Sequence, residues 1–167
     1  MRSIQSLLPG LDRQALEHAA RTTLAATVSL AIAQLLQLPE PHWAAISTIV
    51  VTQSTLGAAL TVSGQRFAGT VIGALAAGLL ATYLGTGMLC FVVGLFLLGL
   101  ICPLLRLDRP AYRFAGITLA IIVLTSRGGP VWMTALHRFL VVSLGIAIGL
   151  VMTAVWPEER ASEAKTA

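Results

Sequence analysis

The chain has 167 residues, of which 56% are hydrophobic and only 11% charged, with a formal net charge of +4. Soluble domains run at about 45–50% apolar and about 25% charged, so this composition excludes a soluble globular domain and a disordered chain. The charges are also pushed to the ends, with only eight between Thr22 and Trp156, which argues against an enzyme site built from several carboxylates.

Six apolar runs follow in chain order. The first extends from about Leu16 to Leu38, behind a short amphipathic segment (residues 1–15) that Asp12 caps, and Pro39-Glu40-Pro41 stops it. The second begins at His42-Trp43 and continues to about Val62, with polar Thr52-Gln53-Ser54-Thr55 in its middle. Arg66 opens the third, which ends near Leu84 before Gly85-Thr86-Gly87. The fourth covers Met88 to Leu105 and is broken by Arg106-Leu107-Asp108-Arg109-Pro110. The fifth runs from Ala111 to Ser126, closed by Gly128-Gly129-Pro130, and the sixth from Val131 to Trp156, closed by Pro157. Each is roughly 17–25 residues long, enough for an α-helix to cross about 30 Å of hydrocarbon. The expectation is an all-α membrane protein: a bundle of six transmembrane helices over residues 1–157 and a polar tail over 158–167. The first span itself serves as the insertion signal, since no cleavable signal peptide is visible.

Arginine placement sets the orientation. With six spans, one side collects Arg2, Arg13, Arg21, Arg66, Arg106, Arg109, Arg113, Arg160 and Lys165, and the other only Arg127 and Arg138. The positive-inside rule then puts both termini in the cytoplasm of a multi-pass inner-membrane protein. Cys90 and Cys102 lie in one apolar run and read as small packing residues; no disulfide framework, metal set or cofactor motif is present. The dispersed arginines form no basic face for nucleic acid.

Two internal patterns bear on architecture. Gln65-Arg66-Phe67 with Gly73 recurs as His137-Arg138-Phe139 with Gly145, an offset of 72 residues. An odd number of spans per repeat gives halves of opposite topology, the 3+3 inverted arrangement of many transporters; the competing reading is a chance match in apolar sequence. Small residues also recur every four positions, Gly69, Gly73, Ala77 and Ala81 in the third span and Gly145, Gly149 and Thr153 in the sixth. Such stripes let helix backbones approach closely in lipid, within one chain or across a dimer face.

The ordered set of Arg21, Pro41-x-Trp43, Arg66-x-x-Gly69-Thr70-x-x-Gly73, Tyr112-Arg113, Arg138 with Gly145, and Trp156-Pro157 resembles the fusaric-acid-resistance and aromatic-acid-exporter superfamily. That group is similar to the plant aluminium-activated malate channels. The resemblance covers about residues 15–157 and implies export of aromatic carboxylates across the inner membrane. Larger members have two such bundles and soluble domains, so a single bundle is expected to assemble as a homodimer or higher homo-oligomer. One departure is Ser54 after Gln53, where the family tends to have proline.

The residues that point to chemistry are few. A charged side chain at membrane depth costs about 2.5–3.5 kcal/mol on insertion scales, so Arg21, Arg66, Arg113 and Arg138 are candidates for an anion pathway. All four read as lying near span ends, where snorkelling to the interface competes with function as their explanation. The guanidinium fork suits carboxylates, and without buried acids it points to an organic anion as cargo. Gln53, Ser54 and Thr55 read either as an unwound segment facing substrate or as groups bonding a neighbouring helix. Trp43 and His42 read mainly as interface anchors, with Trp43 also on the pathway and His42 and Glu40 as a possible proton relay. The expected function is outward transport of organic anions. An anion channel of similar fold, or a non-transporting subunit needing a partner, are the alternatives; an enzyme is not expected.

Overall fold

The computed structural model describes residues 13–125 and 130–156. Among them are six α-helices and no strand: α1 (Arg13–Leu35), α2 (His42–Val51), α3 (Leu56–Leu84), α4 (Met88–Leu104), α5 (Arg109–Thr125) and α6 (Val131–Val155). The N-terminal amphipathic segment with its Asp12 cap, Arg127 with the Gly128-Gly129 break, and the tail from Pro157 lie outside the described residues.

Helix ends follow local chemistry. At the end of α1, Gln37 turns left-handed (φ 51°) and the Leu38 amide donates to the Ala33 carbonyl at 3.0 Å. At the end of α4, Arg106 does the same (φ 55°), with the Leu107 amide donating to the Cys102 carbonyl at 2.9 Å. Both are Schellman closures, which return carbonyls that the helix end leaves unpaired. They fall on Leu36-Gln37-Leu38-x-x-Pro41 and Leu105-Arg106-Leu107-x-x-Pro110, a match between the halves beyond the one at Arg66 and Arg138. Thr55 caps α3, its hydroxyl accepting from the Ala58 amide at 3.3 Å.

The structure corrects two boundaries. The single second span expected to reach Val62 is broken: α2 stops at Val51 after 10 residues, and residues 52–55 are non-helical. At 1.5 Å per residue that helix is about 15 Å long, half a bilayer. The third helix begins at Leu56, not at Arg66, and runs for 29 residues. Arg66 thus lies inside α3, and Arg138 well inside the 25-residue α6. The other helix ends agree with the expected runs within about three residues.

Helices α3 and α6 are long and apolar enough to cross a membrane. They meet antiparallel, Phe67 edge-on to Phe139 at 5.4 Å and Gly78 facing the Trp132 ring. Each also runs beside a helix of the other half. A side chain at Gly69 would come within 2.5 Å of the Ala111 carbonyl of α5, and one at Gly73 would strike the Ala115 carbonyl. In the same way Gly145 faces the Ala44 carbonyl and Ser47 of α2, and Gly149 lies against Val51. The small-residue stripes therefore pack within the chain. Third helices are exchanged: Ala33, Ala44 and Val141 join α1, α2 and α6, while Ala77, Cys90, Leu98, Ala115 and Leu119 join α3, α4 and α5.

Polarity is inverted relative to a water-soluble protein. Buried positions are mostly alanine, glycine, serine, threonine and three arginines, while Leu35, Met88, Phe96 and Leu104 are 67–82% exposed. Apolar surface on that scale is covered by lipid or protein in a stable molecule. Close glycine packing also makes a sharp prediction. Gly73→Ala and Gly145→Ala place a methyl group against a backbone carbonyl and should lower the thermal midpoint in detergent, each costing about 1–3 kcal/mol. Gly64→Ala, which meets nothing within 4 Å, should leave the midpoint unchanged or raise it slightly.

Candidate functional site: a buried arginine pair

Helices α2, α3, α5 and α6 converge on two guanidinium groups. Arg66 of α3 is 5% exposed and Arg138 of α6 is 4% exposed. Their neighbours Phe67 and Phe139 touch edge to face, with ring centroids 5.4 Å apart. Burial at this depth removes the snorkelling explanation for both residues, since neither side chain reaches the molecular surface.

The partners of the two arginines come from α2, α5 and the α1–α2 connection. Arg66 Nη2 donates to Ser47 Oγ at 3.0 Å, and Ser47 Oγ in turn donates to the Trp43 carbonyl at 2.7 Å. The Arg66 guanidinium also lies over the Phe114 ring, 5.0 Å from its centroid. Arg138 stacks far more closely on Trp43, with its Cζ 3.4 Å from the ring centroid. Cation–π contacts of this kind are worth about 0.5–2 kcal/mol. Ser47 and Trp43 of one short helix therefore tie the two arginines together. Thr48 fixes that helix against α6 through a hydroxyl donated to the Gly145 carbonyl at 2.9 Å.

What the arginines lack matters more. The Nε of Arg66 and both Nε and Nη1 of Arg138 are buried without a hydrogen-bond partner among the described residues. Among the described residues, the acidic group near Arg138 is Glu40, which stands at 3.8 Å from Nη1 with its own side chain about half exposed. An ion removed from water costs several kcal/mol unless it is paired and hydrogen-bonded. Unpartnered guanidinium donors have the chemistry that matches an oxyanion, because charged N–H groups hydrogen-bond carboxylates.

The remaining sequence candidates fall elsewhere. Arg21 does not snorkel. It is fully buried, its Nη1 donating to the Trp156 carbonyl at 2.7 Å and its Nη2 to the Gln53 carbonyl at 2.8 Å. A positive charge at two helix C-termini meets the negative ends of both helix dipoles, so Arg21 clamps α1 to the ends of α2 and α6. Gln53, Ser54 and Thr55 form the expected unwound segment. Gln53 there bonds its own helix end through Nε2 to the Val50 carbonyl at 3.0 Å, Thr55 caps α3, and Ser54 is exposed. Arg113 is exposed on α5 and His42 is exposed at the start of α2, with its ring 5.5 Å from that of Trp43. The structure thus gathers Arg66, Arg138, Trp43 and Glu40, and leaves Arg21, Arg113, His42 and residues 53–55 outside the cluster.

Ser47 and Phe114 belong to the site although the sequence alone did not single them out. The signal for Ser47 was the adjacent Ser47-Thr48 pair in the otherwise apolar α2. Nothing in the sequence marks Phe114 beyond its place one turn from Ala111. A separate groove of about 350 Å³ runs between α3 and α6 along Val71, Leu75, Trp132 and Leu136, bounded by Phe67 and Phe139, and it is apolar throughout.

Comparison with known proteins supports a membrane protein. The family model for fusaric acid resistance protein-like sequences matches residues 26–152, and the chain belongs to that family. It is 31% identical over 149 residues to the "Uncharacterized transporter YdhK" of Escherichia coli strain K12, covering 84% of this chain and 22% of that protein. It is 30% identical over 147 residues to the "Inner membrane protein YeeA" of the same strain, covering 84% of this chain and 41% of that protein. The chain therefore spans less than half the length of these relatives. No solved structure matches it.

The Arg21 clamp can be tested by stability. Arg21→Gln removes charged donors from two buried carbonyls, and a lost partner of that kind costs about 1–3 kcal/mol. A thermal melt in detergent should fall by several degrees for Arg21→Gln and stay at the parent value for Arg113→Gln.

Proposed function

We propose that this chain is the membrane bundle of an organic-anion transporter, with Arg66 and Arg138 as its anion-binding pair. The observation that carries the reading is the set of buried guanidinium donors without hydrogen-bond partners beside Trp43, Ser47 and Phe114. Membership of the fusaric acid resistance protein-like family, and relatives named as a transporter and an inner membrane protein, support transport as the activity.

Further parts of the proposal are finer. The two halves α1–α3 and α4–α6 are inverted repeats, supported by paired Schellman closures at Gln37 and Arg106 and by Gly73 and Gly145 each meeting an alanine carbonyl. A pathway between such halves follows the general plan of repeat-built transporters. Both termini in the cytoplasm accord with the basic residues at the chain ends and at Arg106, Arg109 and Arg113; a reporter that works only in the cytoplasm, fused after Ala167, tests this, and an inactive fusion overturns it. The cargo is an aromatic carboxylate moved outward, in keeping with rings flanking both guanidinium groups.

Transport itself is measured as flux of aromatic and aliphatic carboxylates in proteoliposomes at matched protein amount. Arg66→Gln and Arg138→Gln keep much of the stem and remove the charge. A charged hydrogen bond is worth roughly 1.5–3 kcal/mol, so each substitution should weaken apparent affinity by about 10- to 150-fold. Lysine keeps charge without the fork and should be intermediate. Parent-like flux in both glutamine variants overturns the anion site.

A further inference from the structure

The contact between Arg138 and Glu40 differs in kind from every other contact the arginine pair makes. At 3.8 Å it is too long for a hydrogen bond, and Arg138 Nη1 retains an unused donor. Glu40 is also about half exposed, whereas Arg138 is buried, so the carboxylate reaches the guanidinium from the edge of the site. Its backbone explains how it is held there. Glu40 sits between Pro39 and Pro41 with φ 53°, a left-handed conformation that residues with a Cβ seldom adopt. Two flanking prolines restrict the neighbouring torsions and fix the turn. The α1–α2 connection therefore presents a carboxylate to Arg138 by backbone geometry, with no side-chain hydrogen bond to hold it among the described residues.

We propose that Glu40 is a tethered competitor for the anion site, standing at Arg138 in the absence of substrate and displaced when a substrate anion binds. The inference rests on the anion-site reading above. A free carboxylate that bonds both prongs of the Arg138 fork gains charge-assisted hydrogen bonds that Glu40 does not make, so it displaces the tethered group. A monatomic anion such as chloride cannot use the fork in that way. Glu40 thereby sets a threshold that favours planar oxyanions over chloride. The acidic residue of the other half behaves differently: Asp108, in the α4–α5 connection, accepts from Gln65 Nε2 at 3.0 Å, and its hydrogen-bonding partner there is not an arginine.

The test is equilibrium binding of radiolabelled benzoate to the full chain in lipid nanodiscs, with chloride as competitor. Glu40→Gln and Glu40→Ala should each bind benzoate about two- to fivefold more tightly than the parent, the range expected for removing a partly exposed ion-pair partner. Chloride should also compete at lower concentration in both variants. Asp108→Asn, which deletes the same charge from the other loop, should stay within about twofold of the parent. Parent-like or weaker binding in the Glu40 variants, with binding still lost in Arg138→Gln, overturns the competitor and leaves the anion site standing. Equal tightening in Asp108→Asn assigns the effect to net charge and overturns it as well. Unchanged binding in Arg138→Gln removes the anion site and this proposal with it.

Discussion

Burying guanidinium groups in an apolar bundle is the constraint on which the rest of this structure depends. Arg21, Arg66 and Arg138 are each at most 5% exposed, among helices whose outer faces are leucine, phenylalanine and methionine. Such a charge is tolerated only where something near it compensates. For Arg21 the compensation comes from two carbonyls at helix ends, and the result is a clamp. For Arg66 and Arg138 it is partial: one serine, two aromatic faces and a distant carboxylate. One residue type thus meets two kinds of surroundings, helix-end carbonyls at Arg21 and a serine with aromatic faces at Arg66 and Arg138.

The exchanged helices explain how the pair is brought together. Because α3 packs on α5 and α6 packs on α2, the two longest helices cross at the middle of the molecule and carry their arginines to one level. Glycine at 73 and 145 permits this, since any side chain there meets backbone. The short α2 is the other necessary part. Its 10 residues end before the far side of the bundle, yet Trp43 and Ser47 lie one turn apart on it and reach both arginines. A continuous span through Val62 would carry no break at residues 52–55, and the Gln53 carbonyl would then bond within a helix instead of accepting from Arg21.

Much of this was legible in the sequence. The helix ends at Pro39, Gly85 and Pro130, the glycine stripes and the matched Arg-Phe pairs all express local rules that act without tertiary context. Two features were not legible. Ser63-Gly64-Gln65-Arg66 reads as a polar boundary between spans, but Ser63 and Arg66 are buried in the middle of α3. Hydropathy averages around a helix, and so does not separate polar residues that face the interior from those that mark a membrane surface. For the same reason Arg21 was indistinguishable from Arg113: one is fully buried and the other exposed, and only packing decides which. The roles of Ser47 and Phe114 depend on which helices are neighbours, and the helix exchange is a property of the whole fold.

The central claim is that the unused donors of Arg66 and Arg138 receive an anion. The most direct measurement is an experimental structure with 4-bromobenzoate, in which anomalous scattering locates the halogen. The account predicts a bromine peak beside Trp43 and Phe114, with the carboxylate against the two guanidinium groups. A peak confined to the apolar groove along Val71 and Trp132, or no ordered ligand at saturating concentration, would contradict it.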